Sequence, residues 1–388
     1  MANRKYTYDV IVVGLGSMGS STLYHLSTRG VKVLGIDRFH VPHDKGSHSG
    51  QSRLIRKAYY EHPDYVPLLF RAYENWKKIE QISGSALYYE TGILYMGRGN
   101  HPVISGMRYS AEKYDIPVED LSTNEAFRRH TQFNIPGDYD ILIEKEAGFV
   151  TPEKTIETCI QLSQKNGANI ISGEAVKGWE LIHQTIHVHT LTQTYTTRKL
   201  ILTTGAYTPS LSTFLKPKLK VTKQWLAWYL PVEPENFAPG NFRCWCIAHE
   251  EDEGIYYGFP MLEQKQHPGP KGIKIAHHSP GKETNPDEDR ESSTETEQEK
   301  LTQFLATYLP GKIATITALR PCYYTYSPDE HFIIDFIPDS NKKIIIASGF
   351  SGHGFKFAPV IGEALTDLAM KGKTDLPIHF FGLNRFNI

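Results

Sequence analysis

Residues 9–19 read Asp9-Val10-Ile11-Val12-Val13-Gly14-Leu15-Gly16-Ser17-Met18-Gly19, and this stretch decides the fold. A short run of branched apolar residues suits a parallel strand buried on both faces. The Gly-x-Gly-x-x-Gly that follows requires a backbone that turns tightly, then approaches a phosphate, then lets a helix pack close to the strand. The N–H groups opening such a helix meet negative charge. Ser20 to Ser27 continues as that helix, Gly30 stops it, and Val31 to Ile36 is a second strand closed by Asp37. Asp37 lies 18 residues after Gly19, where a carboxylate accepts hydrogen bonds from a ribose. The chain opens with a dinucleotide-binding unit.

Further pieces of the same sheet come late. Asn169-Ile170-Ile171 follows a helical stretch from Pro152 to Lys165, and Lys199 to Thr203 is a strand running into a turn. Lys343 to Ala347 is another, followed by glycines and a helix from about Pro359 to Met370. Residues 214–320 differ: Trp225 to Leu230 and Gly254 to Phe259 are aromatic-rich and alternate as antiparallel strands do. Ser279 to Lys300 starts as a solvated acidic loop and enters a helix from about Thr294 to Tyr308. The expected fold is α/β plus α+β: a Rossmann-like domain from 1–90, 148–213 and 325–388, and a mainly antiparallel substrate domain from 91–147 and 214–324.

Composition narrows the function. A chain of 388 residues exceeds one core, so about two domains are expected. With 42 basic and 43 acidic residues the formal charge is −1, which points away from nucleic acid and anionic membranes. No apolar run reaches the ~20 residues of a membrane span, and neither a secretion signal nor a peroxisomal tripeptide is evident. A cytoplasmic protein with reduced thiols is expected. Four cysteines (Cys159, Cys244, Cys246 and Cys322) make no disulfide framework, and Cys244, Cys246 and His249 do not complete a zinc set. No metal is expected.

The motif alone suits FAD or NAD. The long Gly/Ser/His segment Pro42 to Gly50 after Asp37, and the late return to the sheet, favour FAD. Arg53 and Arg56, three apart, would share one side of a helical turn and recognise an anion, or form surface ion pairs. In Gly349-Phe350-Ser351-Gly352-His353-Gly354-Phe355-Lys356-Phe357, the glycines let backbone pass close to something flat or anionic. Lys356 opens a helix, where the macrodipole disfavours a cation. Such a breach of a local rule marks function or simple exposure.

Together Gly14 to Gly19, Gly46-Ser47-His48, Arg53-Leu54-Ile55-Arg56, Gly254 to Pro260, Asp329 to Asp335 and Gly349 to Phe357 resemble the monomeric sarcosine oxidase family, with N-methyltryptophan oxidase its sister. The resemblance runs from about Tyr8 to Arg385. It implies an FAD-dependent oxidase that demethylates N-methyl amino acids with O2 as acceptor, working as a monomer on a small molecule, with no nucleic acid or membrane partner. It implies FAD attached through Cys322, and a cofactor site of Gly14, Gly16, Ser17, Met18, Gly19, Asp37, Arg38, Ser47, His48, Ser52, Gly352 and Gly354. Lys274 matches an oxygen-activating lysine, His278 an active-site histidine, and Arg53 an arginine near the flavin. Tyr257 and Tyr324 match pocket tyrosines, and Arg56 and Lys356 the pair that holds a substrate carboxylate. In a strand, Lys274 and His278 point to one face and His277 away.

The chain departs from the family at Ser49, where a second histidine is usual, and at Gln51-Ser52, where Asp-Thr is usual. The first departure bears on flavin attachment. Residues 245–253 and 261–271 also differ, which leaves substrate identity open. N-methyltryptophan or another secondary amino acid is the alternative substrate. A dehydrogenase using another acceptor, and a non-catalytic flavin-binding protein, are the alternative functions; Lys274 opposes the first, and the combined set Arg56, Lys356, Lys274 and His278 the second.

Overall fold

Tyr8–Val13 sits inside a mainly parallel sheet because its residues alternate between two apolar clusters. Val10 and Val12 pack on one face, Ile11 and Val13 on the other. Burial on both sides accounts for the unbroken apolar run; each such side chain contributes about 1.5–3 kcal/mol. The computed structural model describes residues 7–212, 214–250, 253–287 and 295–386. The expected helix start, Thr294, and the preceding residues 288–293 lie outside these.

In space the sheet runs Ile333–Phe336, Ile344–Ser348, Thr194–Leu202, Tyr8–Val13, Val33–Asp37, Asn169–Ser172. The four pairings from Ile344–Ser348 to Asn169–Ser172 are parallel, and the end strand Ile333–Phe336 is antiparallel to its neighbour. An antiparallel hairpin, Val176–Ile182 and Thr185–Thr190, extends from the first half of Thr194–Leu202. Helices Ser17–Thr28, Pro152–Lys165 and Ala358–Lys371 pack together over the sheet. The first begins at Ser17, three residues before the expected start, because Gly16 is its N-cap.

Among the described residues the second sheet has nine strands. It is antiparallel except where Cys244–Ile247 runs parallel to Ile93–Gly97, so it is mixed. Ile255–Phe259 is buried at every position, against the expected alternation. The reason is that helix Glu295–Tyr308 covers one face, while the other turns toward the first sheet.

A third, three-stranded sheet joins Arg53–Ile55, Gly148–Val150 and Tyr88–Tyr89. Arg53 and Arg56 therefore do not share a helical turn: Arg53 opens a strand and Arg56 follows its end. Pairing with Phe149 and Val150 supplies backbone partners that an isolated turn lacks. Among the described residues no helix is long and apolar enough to cross a membrane.

Candidate active site

Strand register gathers the chemistry on one face of the second sheet. Lys220–Pro231 is flanked by Ile273–His278 and by Ile313–Tyr326. Paired residues in antiparallel strands point to the same face, and so do residues two apart. Lys274 pairs with Trp228 and Phe259, Tyr257 with Ala276, Cys322 with Gln224, and Tyr324 with Thr222. These positions, with His278, share a face. His277 lies on the opposite face, stacked on Tyr256 at 4.2 Å.

That face borders a cavity of about 420 Å³. Its wall includes Gly14, Gly16, Ser17, Met18, Asp37, Arg38, Ser47 and His48 from the dinucleotide side. Arg53, Arg56, Tyr257, His278, Tyr324, Gly352, Gly354 and Lys356 complete the expected residues in it. Gly19, Ser52, Lys274 and Cys322 are buried behind the wall.

The glycine turn tests whether a dinucleotide fits. Gly14 has φ +88°, and a Cβ there would meet Thr203 O at 2.6 Å; a Cβ on Gly19 would meet Gly14 O at 1.7 Å. Both are dictated by the chain's own packing. Gly16 is not: its φ is −68°, and a Cβ would touch only the His48 ring, at 3.4 Å. The missing side chain keeps space open in the cavity. Gly16 also offers no side-chain acceptor, so the first-turn N–H groups of the helix remain for a ligand. Asp37 accepts from Leu15 N–H at 2.6 Å on Oδ2 and from Phe39 N–H at 2.8 Å on Oδ1, where His43 Nε2 also lies 3.4 Å away, so Oδ2 keeps a lone pair. Thr325, in the wall, has a buried hydroxyl without a partner among the described residues. The residues present fit an FAD.

Cations crowd the other end. Arg53 donates to the carbonyls of Ser52, Ser47 and Ser49 at 2.8, 3.0 and 2.6 Å. Arg56, 4% exposed, forms a bidentate pair with Glu61 at 3.0 and 2.6 Å. Burial alone would raise the Glu61 carboxyl, but Arg56, with His353 and Lys356, holds it at about 2. Lys356, 5% exposed, donates to His353 O at 2.8 Å; burial and Arg56 lower it to about 7. Arg56 and Lys356 both lie over the Tyr59 ring, at 4.4 and 5.1 Å. The Tyr59 hydroxyl donates to His353 Nδ1 at 2.6 Å, since Nε2 must carry the proton it gives Glu330 O at 3.2 Å.

His278 Nδ1 lies 3.3 Å from the Tyr324 hydroxyl, and burial lowers the imidazole to about 4, so it is neutral. Lys274 shares that face, yet its ammonium turns away to two backbone carbonyls over the Phe259 ring. Burial and Arg53 push Lys274 well below a lysine's usual range. Burial also raises the Cys322 thiol, while Arg53 and Lys274 draw it back. Arg38 stacks over Phe39 and Tyr207 at 5.3 and 5.1 Å and pairs with Asp287 at 2.8 Å.

Sequence reading missed Tyr59, Glu61 and His353. Glu61 stands five residues beyond Arg56, outside any helical pairing rule, and nothing in its spacing announces a bidentate pair.

The profile of a family described as FAD dependent oxidoreductase matches residues 9–368. The chain is 37% identical to a monomeric sarcosine oxidase of Streptomyces avermitilis, covering 98% of each. It is 30% identical to an N-methyl-L-tryptophan oxidase of Yersinia pestis, covering 98% of this chain and 99% of that one. Its fold is similar to the open form of NikD, an amino acid oxidase essential for nikkomycin biosynthesis, with a TM-score of 0.84 at 24% identity over 97% of this chain and 98% of that one. The chain belongs to the FAD-dependent oxidoreductase family, together with the monomeric sarcosine oxidases and N-methyl-L-tryptophan oxidases.

Proposed function

We propose that this chain demethylates N-methyl amino acids, sarcosine first: sarcosine, O2 and water give glycine, formaldehyde and hydrogen peroxide. The observation that carries the reading is the pair Arg56 and Lys356 over one Tyr59 ring, in the wall that also holds His278 and Tyr324. Two cations suit a carboxylate; a neutral imidazole and a phenol suit an amine. Identity of 37% to a sarcosine oxidase, against 30% to an N-methyltryptophan oxidase, supports sarcosine over the larger substrate.

When bound, FAD would supply a two-electron acceptor that oxygen can reoxidise. Arg56 and Lys356 hold the carboxylate, and Arg56 must then divide its fork between substrate and Glu61. His278 and Tyr324 orient the amine so that its methyl faces the cofactor, and Tyr257 closes the pocket. The Lys274 charge stabilises the anion formed as oxygen is reduced. Gly14 to Gly19, Asp37, Arg38, Ser47, His48, Ser52, Gly352 and Gly354 hold the cofactor beside Arg53, and Cys322 anchors it by a thioether. Residues 1–90, 148–213 and 325–388 form the dinucleotide domain and 91–147 and 214–324 the substrate domain; the strand membership of the two large sheets supports this division. A cytoplasmic monomer completes the reading, supported by four cysteines of which none is in a disulfide and by the monomeric relative.

The test is peroxide release from sarcosine, N-methyl-L-tryptophan, L-proline, L-pipecolate and glycine. The expected result is release with sarcosine above the others. Silence with both N-methyl amino acids overturns the proposal.

A further inference from the structure

Lys274 is held by two carbonyls that one strained residue brings together. Its Nζ donates to Gly50 O at 2.8 Å and to Ser52 O at 2.5 Å. Between them Gln51 has φ +63°, a left-handed conformation that a residue with a side chain seldom adopts. Such strain persists only where the surroundings over-determine it. Here they do so from two sides. Glu153 Oε1 accepts the Gly50 N–H at 2.6 Å and the Gln51 N–H at 3.2 Å. The Gln51 amide accepts from Trp228 Nε1–H at 2.7 Å and donates to His267 O at 3.0 Å. Trp228 is the cross-strand partner of Lys274 itself. The turn is clamped to the strand whose lysine it holds.

We propose that Glu153 is a positioning residue for Lys274: by fixing the Gly50–Gln51–Ser52 turn, it aims the two carbonyls that hold the ammonium. The inference rests on the reading of Lys274 as the cation for oxygen reduction. Glu153 stands near the start of helix Pro152–Lys165, and its carboxylate gives the turn charge-assisted hydrogen bonds. It also acts on the charge of Lys274. The groups facing that ammonium are Arg53, Glu153, Cys322 and Cys244, and Glu153 is the acid in that set. Burial and Arg53 lower the proton affinity of Lys274, and Glu153 opposes them.

The experiment compares flavin-loaded wild type, Glu153→Gln, Glu153→Ala and Lys274→Met. Stopped flow measures anaerobic reduction by sarcosine and reoxidation by O2 across pH. Hydrogen exchange by mass spectrometry follows the peptide spanning Gly50 to Ser52. Glu153→Gln should slow reoxidation by about tenfold and shift its alkaline fall-off to lower pH, because the buried cation has lost its counter-charge. Glu153→Ala should in addition speed exchange of the turn. Reduction by substrate serves as the internal reference. If Lys274→Met reoxidises like wild type, the oxygen role of Lys274 falls and this inference falls with it. If Lys274→Met is slow but both Glu153 variants keep the wild-type reoxidation rate and pH profile, Lys274 keeps its role and Glu153 loses the one assigned here, whatever the exchange data show.

Discussion

Cys322 is 1% exposed, part of the hydrophobic core on the face that looks onto the cavity. Burial raises the thiol, but Arg53 and Lys274 favour the thiolate that a thioether requires. The denatured wild-type chain should therefore carry the added mass of FAD, and Cys322→Ser should carry none. Bare polypeptide mass from the wild type, with a yellow supernatant, would refute the thioether. Lys356 makes a second prediction. Buried and repelled by Arg56, it loses its proton at about 7. Below that pH an ammonium faces a bound carboxylate, and above it only Arg56 does. Affinity for an acetate-type inhibitor should fall as pH rises through about 7. Losing one charged partner in a desolvated site costs about 2–5 kcal/mol, roughly 30-fold or more in Kd. Lys356→Met should bind weakly at every pH and show no such slope. Parallel slopes in both proteins would place the titration elsewhere.

At the scale of elements, the turn between Tyr8–Val13 and helix Ser17–Thr28 separates two kinds of glycine. Gly14→Ala forces a side chain into φ +88° and against Thr203 O at 2.6 Å, so it should lower the Tm of the cofactor-free chain. Gly16→Ala meets only the His48 ring at 3.4 Å and should leave that Tm within about 2–4 °C of wild type while lowering the fraction of chain that incorporates FAD. Equal loss of cofactor-free stability in both would mean that Gly16 also serves packing. The strand–turn–helix was legible in sequence because its apolar run and its glycines are local signals. The strand Arg53–Ile55 was not: it exists only because Phe149 and Val150, far along the chain, offer it a ladder.

At the scale of the molecule, Glu144 ties the second sheet to the substrate-binding loop. It lies on Asp140–Glu144, is 0% exposed, and accepts the N–H groups of Lys57 at 2.6 Å and Ala58 at 3.2 Å, directly after Arg56. Burial raises its carboxyl to about 7, against the pull of those two bonds and of Arg56. A raised folded value means that its contribution to stability is whole below about 4.5 and is lost as pH rises through about 7. For so buried a group that loss amounts to about 3 kcal/mol. Between pH 5 and 8 the Tm of wild type should decline relative to that of Glu144→Gln, which keeps one acceptor and cannot ionise. Matching curves for the two proteins would show that Glu144 does not titrate in that window.

The sequence by itself determined the dinucleotide-binding start, the continuous buried strands of the first sheet and the motifs that align with a flavoenzyme family. Those signals are local: a run of Val and Ile, glycines at fixed spacing, an acid closing the second strand. Tertiary structure decided which side chains meet. Tyr257, Lys274, His278, Cys322 and Tyr324 share a face only through the register of strands on both edges of Lys220–Pro231. Arg56 and Lys356 converge on Tyr59 from positions 300 residues apart. The pairing of Arg56 with Glu61, and the turn of Lys274 toward the Gly50 and Ser52 carbonyls, depend on burial, which makes an unpartnered charge costly. A buried charge takes whichever partner the fold brings within reach, and no periodicity along the chain records that choice.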